Sequence, residues 1–476
     1  MLIPESINPY NLLDETQESL NYSNPGSPQM TSSPKLNKHK NTIKHSHKRR
    51  PLPTDTETMR IMIINCQSLR RRKDIFQTAI GKIQPDVIIG TESWLDPSIK
   101  NGDIFPVEFK GHVYRTDRKS DKHGGVFVAI RNTYISEEAD ELKSKAETIW
   151  AKLTLPSGNK LYIGSIYHPH TTNMKSLIEI KKNLEKATSF DKQTVWVGGD
   201  FNLPDIEWKD LSKVQIKENS KNTEIHQDFI DQITDRGLIQ LVNQPTRGEN
   251  TLDLLLTNKP STIYRTEVCP GISDHDIVYA EATTTPLKEH QTPRNVYLFK
   301  KADYDSMKRE SNYLLNDFIN KHQKSMDINQ MWEEFKNHIH KLLEKYIPQR
   351  TIKHQHGYPW ITTELRRMIR KRDRLYNKIK KMGNTKMRND YKHLKHLVQK
   401  ETRKSYWDYI SNIIAPDDKP NPEKFFSFLK ATRKETTGVP PLKHQGKTSK
   451  DTIDKANALN NQFQSVFTED SENILP

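Results

Sequence analysis

The chain has 476 residues, 33% of them hydrophobic and 28% charged, with a mean hydropathy of -0.86, so packed cores are diluted by solvated segments and more than one structural unit is expected. An excess of 75 Lys and Arg over 60 Asp and Glu gives a net charge of +15, which points to a polyanionic partner, nucleic acid first. Two cysteines, Cys66 and Cys269, exclude a disulfide framework and a zinc finger, and no apolar run of membrane length or secretory signal pattern is present, so an intracellular protein with no membrane partner is expected.

Residues 1–57 are rich in Ser, Asn, Pro and Lys and end in the basic stretch from Lys35 to Arg50. With no sustained apolar period, they are expected to form a disordered basic arm. Over residues 58–285 short β-rich runs alternate with turns and a few helical patterns, among them Arg60-Ile-Met-Ile-Ile-Asn65, Asp86-Val-Ile-Ile-Gly90 and Gly125-Val-Phe-Val-Ala-Ile130. The helices are too few for a strict βαβ repeat, and short turns such as Pro156-Ser-Gly-Asn159 join neighbouring strands, so an α/β domain with antiparallel or mixed sheets is expected. From 286 to 415 the pattern is helical and basic. Arg366 to Lys404 carries 16 Lys or Arg against Asp373, Asp390 and Glu401, while Leu365, Ile369, Leu375, Tyr376 and Ile379 keep an apolar stripe. Such a segment reads either as a phosphate-backbone contact or as a solvated helix packed on a neighbouring domain. Residues 416–476 form a further helical segment, broken at Gly438-Val-Pro-Pro441.

Gly199-Asp-Phe-Asn202 follows the apolar run Val195-Trp-Val197, which places Asp200 and Asn202 just past the end of a buried strand. A carboxylate beside an amide suits phosphodiester cleavage, because the Asp can take a proton from water while the amide holds that water or a phosphate oxygen without adding negative charge. The plainer alternative is a turn capped by its own side chains. Gly271-Ile-Ser-Asp-His275 sets Asp274 beside an imidazole, a pair able to bind a divalent metal or to stabilise charge at phosphorus, or an ordinary loop. Asp253 interrupts the apolar run Leu252-Asp-Leu-Leu-Leu256, and a buried acid needs a partner; His275 is the one expected. Asn65 and Glu92 also end strands, and Glu92 offers the hard oxygens that Mg2+ prefers.

In this order, Asn65, Glu92, Gly199-Asp-Phe-Asn202, Asp253 and Ser273-Asp-His275 resemble the endonuclease/exonuclease/phosphatase superfamily, which includes DNase I, exonuclease III and the abasic-site endonucleases. Asn65-Cys-Gln-Ser-Leu69, Thr91-Glu-Ser-Trp-Leu95, Gly164-Ser-Ile-Tyr-His-Pro169 and Cys269-Pro-Gly-Ile-Ser-Asp-His275 are closer still to the apurinic-like endonuclease domain of non-LTR (LINE-type, jockey-like) retrotransposon proteins. Pro359-Trp-Ile-Thr-Thr-Glu-Leu-Arg366 and the basic helix after it resemble the linker that precedes the reverse transcriptase in those elements.

The resemblance implies a four-layer sandwich, two mixed β-sheets face to face with helices outside, followed by the basic helical region. It implies that Glu92 holds Mg2+, with Mn2+ as a substitute, and that Asn65 and Asp274 complete or support the metal site. Asp200 would deprotonate the attacking water, Asn202 would orient it or a phosphate oxygen, and His275, oriented by Asp253, would stabilise the transition state. Tyr167 would hydrogen-bond the phosphate, and Thr246 in Gln244-Pro-Thr-Arg247 is a further candidate for substrate contact. The implied partner is DNA, nicked to leave a 3′-hydroxyl primer, with retroelement RNA a second partner for the basic linker and the nucleus the place of action. Gln67 departs from the second acidic residue of abasic-site endonucleases, which speaks against abasic-site repair. No Tyr-x-Asp-Asp or Phe-x-Asp-Asp motif occurs, so the chain is expected to be truncated before a polymerase. Two alternatives stand beside the nuclease: a phosphatase of the same superfamily acting on a small phosphoester or phospholipid, and a non-catalytic nucleic-acid-binding remnant.

Overall fold

The computed structural model describes residues 58–118, 123–190, 192–210, 213–288, 295–321, 327–351 and 358–414, together with Ser6–Ile7 and short stretches between 422 and 466. The N-terminal arm, Ser6–Ile7 apart, and much of 416–476 lie outside the described residues.

Two sheets form the main body. The first contains β1 (Ser6–Ile7), β2 (Met59–Asn65), β3 (Val87–Thr91), β4 (Val113–Thr116), β5 (Val126–Ile130), β14 (Ile263–Cys269) and β15 (Ile277–Ala282), in the spatial order β1-β14-β15-β2-β3-β5-β4. The second contains β6 (Ser136–Glu138), β7 (Thr148–Thr154), β8 (Lys160–Tyr167), β9 (Thr194–Asp200), β12 (Ile239–Gln240) and β13 (Asp253–Thr257), in the order β12-β13-β9-β8-β7-β6. Each sheet has one parallel pair, β2 with β3 and β8 with β9, in an otherwise antiparallel ladder. Both sheets are therefore mixed, as the scarcity of crossover helices implies. A separate hairpin, β10 (Ile206–Asp210) with β11 (Lys213–Ile216), leaves the second sheet after β9.

Strands buried on both faces read as continuous apolar runs, and their alternation assigns each residue to a layer. Along β2, Met59, Ile61 and Ile63 meet Ile149, Ala151, Leu161, Ile163 and Trp196 of the second sheet, forming the central core. The intervening Met62 and Ile64 face the opposite way, against Phe76 and Ile80 of α1 (Leu69–Ile83). After the short α2 (Asn101–Ile104), the outer face of the second sheet is covered by α3 (Met174–Thr188) and α4 (Thr223–Asp235) through Leu177, Ile180, Leu184 and Phe229. The result is four layers, helix, sheet, sheet and helix. On the β7–β8 ladder Trp150 lies opposite Gly164, and a Cβ on that glycine would stand 2.8 Å from the indole.

The helical region divides between two compact units. His290–Gly357 forms one, with α5 (Tyr304–Lys321), α6 (Ile328–Tyr346) and the two-stranded ladder of β16 (Asn295–Tyr297) with β17 (Gln349–Thr351). The other unit contains the sandwich together with the segment from Tyr358 onward. In it α7 (Thr363–Met382) and α8 (Thr385–Ile414) form a hairpin against the sandwich. Thr362 caps α7 by accepting the Leu365 N–H at 3.2 Å. Trp360, Leu365, Ile369, Val398, Tyr406 and Ile410 pack as the hairpin's own core, and Tyr358 bridges it to the α1 layer. Among the described residues no helix is long and apolar enough to cross a membrane.

Candidate active site

The strand registers bring polar residues to one end of both sheets. In the second sheet Asp200, the last residue of β9, lies opposite Asp253 at the start of β13 and beside Tyr167 at the end of β8. In the first sheet Asn65, the last residue of β2, lies beside Thr91, and Glu92 follows directly. The β14–β15 connection carries Asp274 and His275. Asn65, Tyr167, Asp200 and Asp253 are thus fixed by strand ends, Glu92 directly follows one, and Asp274 and His275 are carried by the loop before β15.

Asn65 ties the two sheets together. Its Nδ2 donates to Glu92 Oε1 at 2.8 Å and to Asp200 Oδ2 at 2.9 Å. Its Oδ1 is buried without a hydrogen-bond partner, which calls for an unfilled polar or ionic neighbour. Asp253 Oδ2 lies 2.8 Å from His275 Nδ1, and His275 Nε2 lies 3.8 Å from Asp200 Oδ2. Asp200 and Asp253 have no exposed surface, and His275 retains 1%.

Burial pushes the Asp200 carboxyl well above its ordinary range, and the Asp253 charge adds to the effect; His275 and the Asn202 N–H act against it. Burial alone would lower the His275 pKa, but the neighbouring carboxylates, Asp253 first, raise it to about 9. The imidazole therefore carries a proton at neutral pH, held between two acids.

Backbone strain collects here. Among the described residues seven non-glycines have positive φ, and Gln67, Ser68, Glu92, Trp94 and Asn202 among them belong to the turns that deliver site residues. Asn202 sits at φ 45, its N–H donating to Asp200 Oδ1 at 3.1 Å and its Nδ2 to the His168 carbonyl at 2.8 Å. At Gly271 a Cβ would stand 1.8 Å from the His275 carbonyl oxygen, so the turn that carries His275 closes only with glycine.

The remaining expected residues take varied positions. Thr246 is buried, and its Oγ1 accepts the N–H groups of Leu252 and Asp253, each at 3.0 Å. Its hydroxyl oxygen therefore helps hold Asp253 in place. Asp274 takes a hydrogen bond from Gln67 and an ion pair from Arg247 at 2.7 Å. An acid at position 67 would repel that carboxylate, whereas Gln67 donates to it. Arg118 lies over the Tyr167 ring at 5.7 Å and pairs with Glu147 at 2.6 Å. The Tyr167 hydroxyl is driven up by burial and by the charges of Glu92 and Asp200, so it stays a neutral donor.

Sequence reasoning did not find Arg118, Glu147 or the Gln67–Asp274–Arg247 chain. These are contacts between residues far apart in sequence and outside any short motif. His168 and Ser273 were visible only as neighbours of named residues, yet the Ser273 hydroxyl binds the Asn65 carbonyl at 2.8 Å and accepts the His275 N–H at 3.2 Å.

Among the described residues, Asp200, Asp253 and His275 are close enough to share an ion. The Asp253–His275 bond already occupies Nδ1, so this trio is better described as a relay in which Asp253 is hydrogen-bonded to the imidazole and Asp200 faces its unpartnered Nε2 at 3.8 Å. The hard oxygens of half-buried Glu92 and the unpartnered Oδ1 of Asn65, beside Asp200, are donors of the kind that suit a hard divalent cation.

Residues 161–279 match a family model described as endonuclease-reverse transcriptase. The matched stretch runs from β8 into β15 and includes Tyr167, Asp200, Asn202, Asp253 and His275, while Asn65 and Glu92 precede it. Among solved structures the chain is similar to the endonuclease domain of TRAS1, a telomere-specific non-LTR retrotransposon, with 14% identity over 48% of this chain and 98% of that one and a TM-score of 0.36. It is also similar to the AP endonuclease LMAP from Leishmania major, with 12% identity over 48% of this chain and 88% of that one and a TM-score of 0.39. A third is the 3′ phosphatase NExo from Neisseria bound to product DNA hairpin, with 16% identity over 47% of this chain and 99% of that one and a TM-score of 0.36. No curated protein sequence matches the chain. The family match covers residues 161–279, the part of the sandwich from β8 into β15.

Proposed function

We propose that the sandwich is a Mg2+-dependent phosphodiesterase that nicks DNA, the endonuclease of a non-LTR retrotransposon protein, and that it leaves a 3′-hydroxyl for a polymerase to extend. The observation that carries this reading is the meeting of the Asp253–His275–Asp200 relay with the Asn65–Glu92 pair at one end of both sheets. Glu92 and Asn65 Oδ1 would hold the metal, with Asp274 farther out in a supporting role. When bound, Mg2+ supplies Lewis-acid stabilisation of phosphate charge and favours the carboxylate form of Asp200.

The chain's own groups perform the rest. Asp200, in its carboxylate form, accepts a proton from the attacking water. Asn202 keeps Asp200 oriented through its N–H. The bond from water oxygen to phosphorus forms as the P–O3′ bond breaks, and O3′ leaves as a hydroxyl by taking a proton from a solvent water. His275 offers Nε2–H to the phosphate oxygen on which charge builds, while its Nδ1–H is held by Asp253. Tyr167 donates to a phosphate oxygen as a neutral hydroxyl.

The test uses a labelled DNA duplex, the full chain and Mg2+. Nicked ends that a DNA polymerase extends directly support the reading. Ends that extend only after removal of a 3′-phosphate, or an intact duplex under these conditions, count against it.

A further inference from the structure

The α7–α8 hairpin touches the sandwich at the loop that carries His275. Tyr376 Oη donates to Asp276 Oδ2 at 2.6 Å, and Asp276 Oδ1 accepts the Gly271 N–H at 3.1 Å. One carboxylate thus joins both ends of the 271–276 turn to a helix. On the other side Lys395 Nζ donates to the Ser273 carbonyl at 2.9 Å. Ser273 in turn reaches the Asn65 carbonyl at 2.8 Å, so this tie reaches the metal-side strand as well. Lys380 Nζ reaches the Val268 carbonyl at 2.7 Å, on the strand that enters the loop.

These contacts are unlike ordinary surface pairs. Tyr376 is 7% exposed, and its hydroxyl is pushed far up by burial and the Asp276 charge, so it remains a donor across the physiological range. Lys395 is an ammonium drawn down from its usual pKa by burial. Helix hydrogen bonds and the Trp360 core anchor both donors. Within the loop, the Asp276 N–H reaches the Thr246 carbonyl at 2.7 Å, and Thr246 holds Asp253. A displacement of the loop would therefore move His275 and its orienting acid together.

We propose that Tyr376 and Lys395 are positioning residues for His275, so that the basic hairpin braces the catalytic loop and the sandwich reaches full turnover only with the hairpin docked. The role assigned to His275 rests on the phosphodiesterase reading above; the brace itself does not.

The test compares the full chain with Tyr376→Phe, Lys395→Met and the double variant. Amide hydrogen exchange over residues 271–277 reads the brace directly, and nicking at saturating and limiting DNA separates kcat from KM. The double variant is expected to exchange at these amides at least about tenfold faster than wild type. Its kcat should fall about five- to twenty-fold at nearly constant KM, the signature of a misplaced catalytic group rather than lost binding. Tyr376→Phe is isosteric at the ring and leaves the hairpin core intact, so a fault confined to the loop separates positioning from unfolding. Unchanged loop exchange in the double variant overturns the proposal, as does a loss confined to KM. If wild-type protein nicks no DNA, the nuclease reading fails, and faster loop exchange in the variants still supports the brace.

Discussion

At the sheet ends, Asp200, Asp253 and His275 are buried within hydrogen-bonding networks; on α7, Arg367, Lys371, Arg374, Lys378 and Lys381 point away from the side that packs. The α7 spacing explains the second pattern. Leu365, Ile369, Arg372 and Tyr376 form the buried stripe, and each of the cations lies about half a turn away on a helix of 3.6 residues per turn. Inner charges act at short range in a low-dielectric setting, where each is worth far more than in water, while outer charges act through a screened field. Removing an inner group should stop chemistry. Removing an outer one should only weaken attraction for a polyanion.

The largest expected effect follows from the inner set. Asp200→Ala and His275→Ala should each lower nicking by at least about a hundredfold while DNA affinity changes little. Nicking rates with a parallel binding assay check this, and a matched loss of both would place these residues in folding instead.

The surface joining the two regions comes next. Trp360 is 8% exposed, stacks on Tyr358 with centroids 4.7 Å apart and packs against Tyr406. Trp360→Ala should cost about 3–5 kcal/mol, measured by urea unfolding of the full chain. A loss below about 1 kcal/mol would mean that the hairpin is not docked as described.

The buried acids also make a pH prediction for the metal-free protein. The folded-state pKa values of Asp200 and His275 both lie above their ordinary values of 3.8 and 6.5. A raised group contributes stability that is fully present below its unfolded pKa and lost as pH rises through its folded pKa. Both groups therefore act in the same direction from about pH 6.5 upward. In EDTA, wild-type protein should lose stability relative to Asp200→Asn between pH 6 and 8.5, since the amide does not titrate, with about 1 kcal/mol as the minimum difference. Parallel stability curves would show that Asp200 is not held as described.

The smallest effect belongs to the outer stripe. Lys378→Gln with Lys381→Gln should weaken DNA binding by a few fold and reduce the salt slope by about one to two, with kcat unchanged. A change in kcat would give these cations a role beyond attraction.

The sequence made one of these regions far more legible than the other. Apolar runs leading into Asn65, Glu92 and Asp200 are visible in the sequence, and the isolated acid in Leu252-Asp-Leu-Leu-Leu256 signals a need for a partner, because local pattern and chemistry agree there. The hairpin's packing was not legible, since an amphipathic basic helix has the same pattern whether its stripe meets a sandwich or another protein. α6 makes the point: Trp332 and Ile328 keep helical spacing yet remain 58% and 77% exposed. The Arg118–Glu147 pair and the Thr246 hydroxyl's hold on Asp253 depend on tertiary register, which no local motif encodes.

The most direct measurement of the central claim is relaxation of supercoiled plasmid by the full chain, with Mg2+ and with EDTA, beside Asp253→Asn. The account predicts relaxed circles with Mg2+ and wild-type protein, none in EDTA, and a large loss with Asp253→Asn because the imidazole loses its orienting charge. Equal relaxation by wild type and Asp253→Asn, or relaxation that persists in EDTA, would contradict a site built on the Asp253–His275–Asp200 relay and a bound divalent ion.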